Sequence, residues 1–203
     1  MKSKSKIAKE KLIVIVFVDL LNPHNADYVR KAIREAKMMS EAELRSHRCC
    51  FTGHRPDKMT LGENDIKPLL EKAIDKAIED GYVTFITGMA MGTDVWAAEV
   101  VLEKKKDNKD IHLICALPHP GFEKRRSEIE KNRFTDIIEN ADYVKLVNDH
   151  YFSGCYQVRN EWMVNHSARV IAVYDGQSGG TRNTIRYCEK VNVEVMNVLA
   201  REE

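Results

Sequence analysis

The sequence has no surplus of either charge. Over 203 residues, 32 Lys and Arg stand against 31 Asp and Glu, a formal net charge of +1. A protein that grips nucleic acid non-specifically needs a lysine and arginine excess to displace phosphate counterions, so a polymer-binding surface is not expected unless basic residues cluster locally. Also missing is any CxxC pair. The five cysteines, at 49, 50, 115, 155 and 188, follow no secreted-type framework. Cys49, Cys50 and Cys115 fall inside apolar runs that read as strands, which makes them buried, reduced thiols of a cytoplasmic protein. The apolar run 12–18 is far short of the roughly 20 residues of a membrane span. It is interrupted by Asp19 and followed by no small-x-small cleavage site, so the lysine-rich start is not read as a signal peptide and no membrane partner is expected.

Catalytic signatures are scarce as well. There is no HExxH, no paired His or Cys spacing for a metal, and no Ser/His/Asp or Cys/His motif; the seven histidines are scattered. What is present is 43% hydrophobic and 31% charged residues, the balance of a soluble globular chain. The length suits one α/β domain with an appendage. Residues 1–47 read as an accessory strand (12–18) and a charged helix (25–47) with a thin apolar stripe of Val29, Ile33, Ala36 and Leu44. Residues 48–203 read as the main domain.

In that domain β-rich runs at 49–52, 82–87, 112–117, 143–147, 170–174 and 193–198 alternate with helical periods at 66–78, 94–106, 123–140, 157–166 and from about 180. The pattern predicts a Rossmann-like, doubly wound, mostly parallel sheet flanked by helices. Ligands of such sheets bind beyond the carboxyl ends of the strands, at the switch point, so the residues directly after each strand are the candidates. After the first run come Gly53, His54 and Arg55, either donors for an anion or a Pro-closed turn with a surface arginine. After the second comes Thr87-Gly-Met-Ala-Met-Gly-Thr-Asp94, with Gly88 and Gly92 opening a helix as a phosphate cradle would; Thr93 and Asp94 either cap that helix or touch ligand. After the fifth, a second glycine-rich loop carries Asp175, Gly179, Gly180 and Thr181. Two such loops in one sheet point to a phosphate-bearing ligand. Arg159 and Asn160 are placed toward ligand, with Trp162 and Met163 toward core. Lys124, Arg125, Arg126, Lys131 and Arg133 form a local basic stretch, diluted by Glu123, Glu128 and Glu130 into a solvated helix face. Asp94 and Asp175, then Glu161, are the carboxylates to consider for acid/base work.

At these residues the chain resembles the YpsA-like family within the SLOG superfamily, the Rossmann-like group that also holds the DprA/Smf proteins and the Lonely Guy phosphoribohydrolases. The matching stretches are Cys50-Phe-Thr-Gly-His-Arg-Pro56, Thr87-Gly-Met-Ala-Met-Gly-Thr-Asp-Val-Trp-Ala-Ala-Glu99, His150-Tyr151 with Gly154-Cys155, Arg159-Asn160 with Trp162-Met-Val164, and Ile171-Ala-Val-Tyr-Asp-Gly176 with Gly179-Gly-Thr181. The resemblance implies a pocket for a nucleotide or nucleotide derivative such as NAD or ADP-ribose, and a sensor or regulatory role in stress response or cell division. It places ligand contacts on Gly53, His54, Arg55, Gly88, Gly92, Thr93, Asp94, Arg159, Asn160, Asp175, Gly179, Gly180 and Thr181. The phosphoribohydrolase branch carries a glutamate shortly after its second glycine pair, whereas here no acid follows until Glu189. N-glycosidic hydrolysis, with Asp94 or Asp175 as acid/base, therefore ranks second to binding. Single-stranded DNA binding through residues 124–133 ranks third, since the charge is balanced and no aromatic stacking surface is evident in the sequence; the stretch 122–126 also departs from the aromatic-rich character the resemblance implies there. A homo-oligomer is left open.

Overall fold

The computed structural model describes residues 40–200; the strand expected at 12–18 and most of the helix expected at 25–47 lie outside them. Residue 45 onward belongs to one compact unit, and Ser40 to Leu44 to another. In chain order the elements are α1 (Glu41–Arg45), β1 (Arg48–Gly53), α2 (Glu63–Glu79), β2 (Thr84–Thr87), α3 (Thr93–Asp107), β3 (His112–Leu117), α4 (Glu128–Asn140), β4 (Tyr143–Leu146), α5 (Cys155–Asn165), β5 (Arg169–Val173), α6 (Gly180–Val191) and β6 (Glu194–Asn197). The six strands form one sheet in the order β4-β3-β2-β1-β5-β6, and every pairing is parallel. The expected Rossmann-like α/β fold is what the chain adopts.

Helices on both faces explain why the central strands are apolar throughout rather than alternating. In β1, Cys49 and Phe51 enter one cluster with Ile66, Leu70 and Ile74 of α2, Val101 of α3 and Ile137 of α4. Cys50 enters the other, with Met163 and Val164 of α5 and Cys188 of α6. Successive side chains of a strand point to opposite faces, so one short run seeds both cores. All five cysteines are buried and unbridged. Burial pushes the Cys115 thiol up to about 12 and the Cys188 thiol to about 11, so they pack as small apolar groups.

Local chemistry moves two element boundaries. Helix α2 ends in a Schellman closure: Gly81 has φ +93, its N–H donates to the Ile78 carbonyl, and the Tyr82 N–H donates to Ala77. Tyr82 is thereby spent on the helix end, and β2 starts two residues later than its β-rich run. The helix expected over 123–140 instead begins at Glu128, because Ser127 and Glu130 form a capping box. Residues 122–126 turn before it, which frees Arg126 to fold inward.

At the far edge, Asp142 accepts from the Leu113 N–H at 2.9 Å and from Lys105 Nζ at 2.7 Å, with His112 Nδ1 at 3.3 Å. Burial pushes its carboxyl pKa up, but these partners together outweigh it and hold the group at about 2. A carboxylate depressed from the ordinary range stabilises the fold above pH 4, and that contribution is lost as pH falls toward 2. Asp142→Asn should therefore cost about 2 kcal/mol at pH 7. Urea unfolding from pH 7 to 3 should show the gap to wild type narrowing below pH 4; a gap that stays constant would assign the loss to packing instead.

Candidate functional site

Strands β1 to β4 run outward from the middle of the sheet in sequence order, and the chain then returns to lay β5 on the other side of β1. The strand order therefore reverses between β1 and β5, and the loops after these two strands splay apart and leave a crevice. A cavity of about 290 Å³ lies there, at the small end of the range for ligand pockets. Gly53, His54, Arg55, Asp94, Arg159, Asn160, Gly179, Gly180 and Thr181 line it, together with Phe51, Thr52, Asp57, Lys58, Ala90 and Tyr156.

Three walls can be distinguished. Directly after β1, residues 54–58 bring Arg55 and Lys58. Opposite, α6 begins at Gly180 with Gly179 as its N-cap, so the unpaired first-turn amides of an α-helix open at the lining residues 179–181. The third wall is α5, whose Tyr156, Arg159 and Asn160 stand at i, i+3 and i+4 and so share one helix face. Asn160 is held by its amide, which donates to Thr184 Oγ1 at 3.0 Å, while its carbonyl accepts from Arg159 Nε at 2.9 Å.

Beneath the cleft is a buried charge cluster. Arg159 is 4% exposed, Arg126 8% and Asp94 6%. Arg159 Nη1 donates to the Gly88 carbonyl and, at 3.3 Å, to that of Ala116; Arg126 Nη2 donates to the Met89 carbonyl. Asp94 Oδ2 accepts from the Ala90 N–H at 3.1 Å, and Thr87 Oγ1 donates to the Asp94 carbonyl at 2.8 Å. The loop after β2 is thus strapped from both sides, with Met89 held at φ +57. Burial pushes the Asp94 carboxyl pKa up although Arg159 opposes it, and burial pulls both guanidinium pKa values down. Two buried guanidiniums against one carboxylate leave the floor with a positive excess, which favours an anion above it.

The remaining candidates stand outside the lining. Gly88 lies under Arg159, so close that a Cβ would overlap the guanidinium; Gly92, the N-cap of α3 at φ +87, packs on Pro56; and Thr93 presses on Gly53. Asp175 lies beyond the rim, with Oδ1 3.3 Å from His54 Nε2. That contact is near enough for charge attraction but not aligned as a hydrogen bond, and Nε2 has no hydrogen-bond partner among the described residues. The Gln177 backbone N–H and side chain, with His54 nearby, hold the Asp175 carboxyl low. Glu161 accepts from the Gln157 amide at 2.9 Å and lies off the cleft.

The stretch read as a solvated basic face is divided differently. Arg126 is buried over the Phe122 and Phe134 rings, at 5.0 and 4.7 Å. Arg133 is clamped by Glu63 and Glu99, both of which also take Lys67. Residues 122–126 are not without aromatic company either: Phe122 joins His119, Phe134 and Tyr156, and Tyr151 closes on His119 and Tyr156. Four chain segments contribute to that cluster, so no local motif announces it, and Tyr156 escapes sequence reasoning for that reason.

Among proteins of known sequence, the chain is 26% identical to a UPF0398 protein of Staphylococcus epidermidis over 154 residues, covering 72% of this chain and 80% of that one. It is 31% identical to a UPF0398 protein of Halalkalibacterium halodurans over 139 residues, 64% and 74% of the two chains. Among solved structures it is similar to DNA processing protein A from Helicobacter pylori, described for its single-stranded DNA binding mode. The TM-score is 0.53 and the identity 18%, over 76% of this chain and 66% of that one, a likeness of fold. The profile of the YspA SLOG family matches residues 49–196, and with the glycine-rich strand ends gathered at one switch point, the chain belongs to the YpsA family of SLOG proteins.

Proposed function

We propose that this protein binds a nucleotide or nucleotide derivative of the NAD or ADP-ribose kind and acts as a sensor or regulator, in stress response or cell division, rather than by turnover. The observation that carries the reading is the switch-point cleft itself, where the first turn of α6 faces Arg55 and Lys58 over a floor with a positive excess. A diphosphate would take the amides at residues 179–181 and the Arg55 fork, and His54 has a buried nitrogen to offer. Family membership agrees with this reading.

Binding favours the side of the choice between binding and hydrolysis because the carboxylate best placed for chemistry is already engaged. Asp94 is used to hold the β2 loop and to balance Arg159, and Asp175 stands outside the cavity. DNA processing protein A makes single-stranded DNA the rival ligand, yet here Arg126 and Arg133 of the basic stretch are turned inward or neutralised. A gel shift that weakens steeply with salt would favour that rival.

Saturating ADP-ribose or NAD, at about 100 times its dissociation constant, should stabilise the fold by about 2.7 kcal/mol. For a domain of this size that raises Tm by about 5–10 °C. Arg55→Ala, which removes a surface fork and no core contact, should weaken the ligand about 10- to 100-fold. Absence of any shift with millimolar ADP-ribose, NAD or AMP would overturn the reading.

A further inference from the structure

We propose that the Tyr156 ring is the nucleobase-stacking face of the cleft, an assignment that rests on the nucleotide reading above and goes beyond it by naming where the base lies. Tyr156 lines the cavity and is 37% exposed, which for a ring packed among three other aromatic side chains is a large open fraction. Its neighbours explain why. His119, Phe122 and Tyr151 have ring centroids 5.9, 6.0 and 6.4 Å away, with planes inclined by 72°, 57° and 64°. They buttress the ring at an angle, and none of them stacks on it. Edge-on packing fixes an aromatic side chain while leaving its π-face for another ring.

The position along the sheet supplies the second argument. His119 and Phe122 follow β3, whereas residues 179–181 follow β5, and the sheet order puts β2 and β1 between these strands. Three inter-strand spacings of about 4.8 Å separate the two ends by about 14 Å, less whatever the side chains reach inward. Helix α5 bridges that distance: Asn160 bonds Thr184 of α6, Arg159 reaches the carbonyls after β2 and within β3, and Tyr156, one turn earlier, stands on the β3 side. The cleft is therefore polar and amide-rich at one end, cationic beneath its middle, and aromatic at the other. Inorganic phosphate would use only the first part. A nucleoside diphosphate laid along α5, phosphates toward α6 and base on Tyr156, uses all three.

The test is ADP-ribose affinity by calorimetry for wild type, Tyr156→Ala, Tyr156→Leu and Tyr156→Trp, with melting temperatures as a check on folding. Loss of a stacking ring weakens binding by about 5- to 150-fold. Both Tyr156→Ala and Tyr156→Leu should show a loss in that range, while Tyr156→Trp stays within about threefold of wild type, since stacking needs a π-face rather than apolar volume. If Tyr156→Leu binds as tightly as wild type, the subsite is wrong and the nucleotide reading stands. If wild type itself fails to bind ADP-ribose, the reading fails and takes the subsite with it.

Discussion

Arg159→Ala is expected to lower the free energy of unfolding by about 3–5 kcal/mol, the cost of removing one partner from a buried charge pair. The guanidinium is 4% exposed and ties three elements together: Nη1 serves the carbonyls of Gly88 and Ala116, and Nε serves Asn160. Without it, two buried carbonyls lose a donor and Asp94 keeps only Arg126 and backbone N–H groups as compensation. Burial already raises the Asp94 pKa, and loss of the neighbouring cation raises it further. A carboxyl whose folded pKa lies above its unfolded value gives the fold its advantage at low pH and loses it as pH rises through the folded pKa. The deficit of Arg159→Ala should thus be larger at alkaline than at acidic pH, shrinking as Asp94 becomes protonated. Urea unfolding at pH 7.5 and 5 measures it, and Asp94→Asn in the same background should cost less than it does alone. Arg159→Lys should restore little, because a point charge cannot span two carbonyls and an amide at once. A loss below about 1 kcal/mol would show that the cluster is not a structural unit.

Much of this fold could be read from residue order because its signals are local. The run of cysteines and Phe51 in β1, the unbroken i, i+3, i+4 series of α2 and the glycines after β2 and β5 each report on a few neighbours, and together they placed the sheet and its productive edge. The cleft followed from the rule that strand ends at a switch point hold the ligand. What escaped was assembled over distance. Arg126 reads as one more cation in a charged helix until Ser127 is seen to cap that helix and leave the arginine outside it, free to enter the core. Tyr156 reads as an ordinary helix residue until His119, Phe122 and Tyr151 are brought round it from other segments. Asp175 stands at the end of a strand like a ligand contact, yet its carboxylate faces the rim and His54. The partners each side chain finally meets, the Met89 carbonyl for Arg126, His119 and Phe122 for Tyr156 and His54 for Asp175, lie tens of residues away, beyond the reach of periodicity, although the Ser127–Glu130 capping box that releases Arg126 is itself a local signal.

The close approach of β1 to α3 is where a single added carbon should do most harm to ligand binding without touching a charge. Gly53 ends β1 on the cleft wall, and Thr93 opens α3. A Cβ at Gly53 would fall within the contact shell of three Thr93 atoms, its own Cβ among them. A long side chain could swing away, but a Cβ branch point carried by a helix cannot, and Thr93 is 1% exposed. Relief must come from moving the N-terminus of α3 off the strand. That movement carries Asp94 and the strapped β2 loop with it, and so disturbs the floor beneath the ligand. Gly53→Ala is accordingly expected to cost about 3 kcal/mol, the upper end for overpacking, and to abolish the ADP-ribose melting shift even where the protein remains folded. The double variant Gly53→Ala/Thr93→Gly removes the opposing branch point and should recover most of the binding, although glycine in the first turn of α3 carries its own helix penalty of up to about 1 kcal/mol. Calorimetry on the two single variants and the double completes the cycle. Additive losses would mean that the two residues do not meet, and that the spacing of β1 and α3 does not set the geometry of the site.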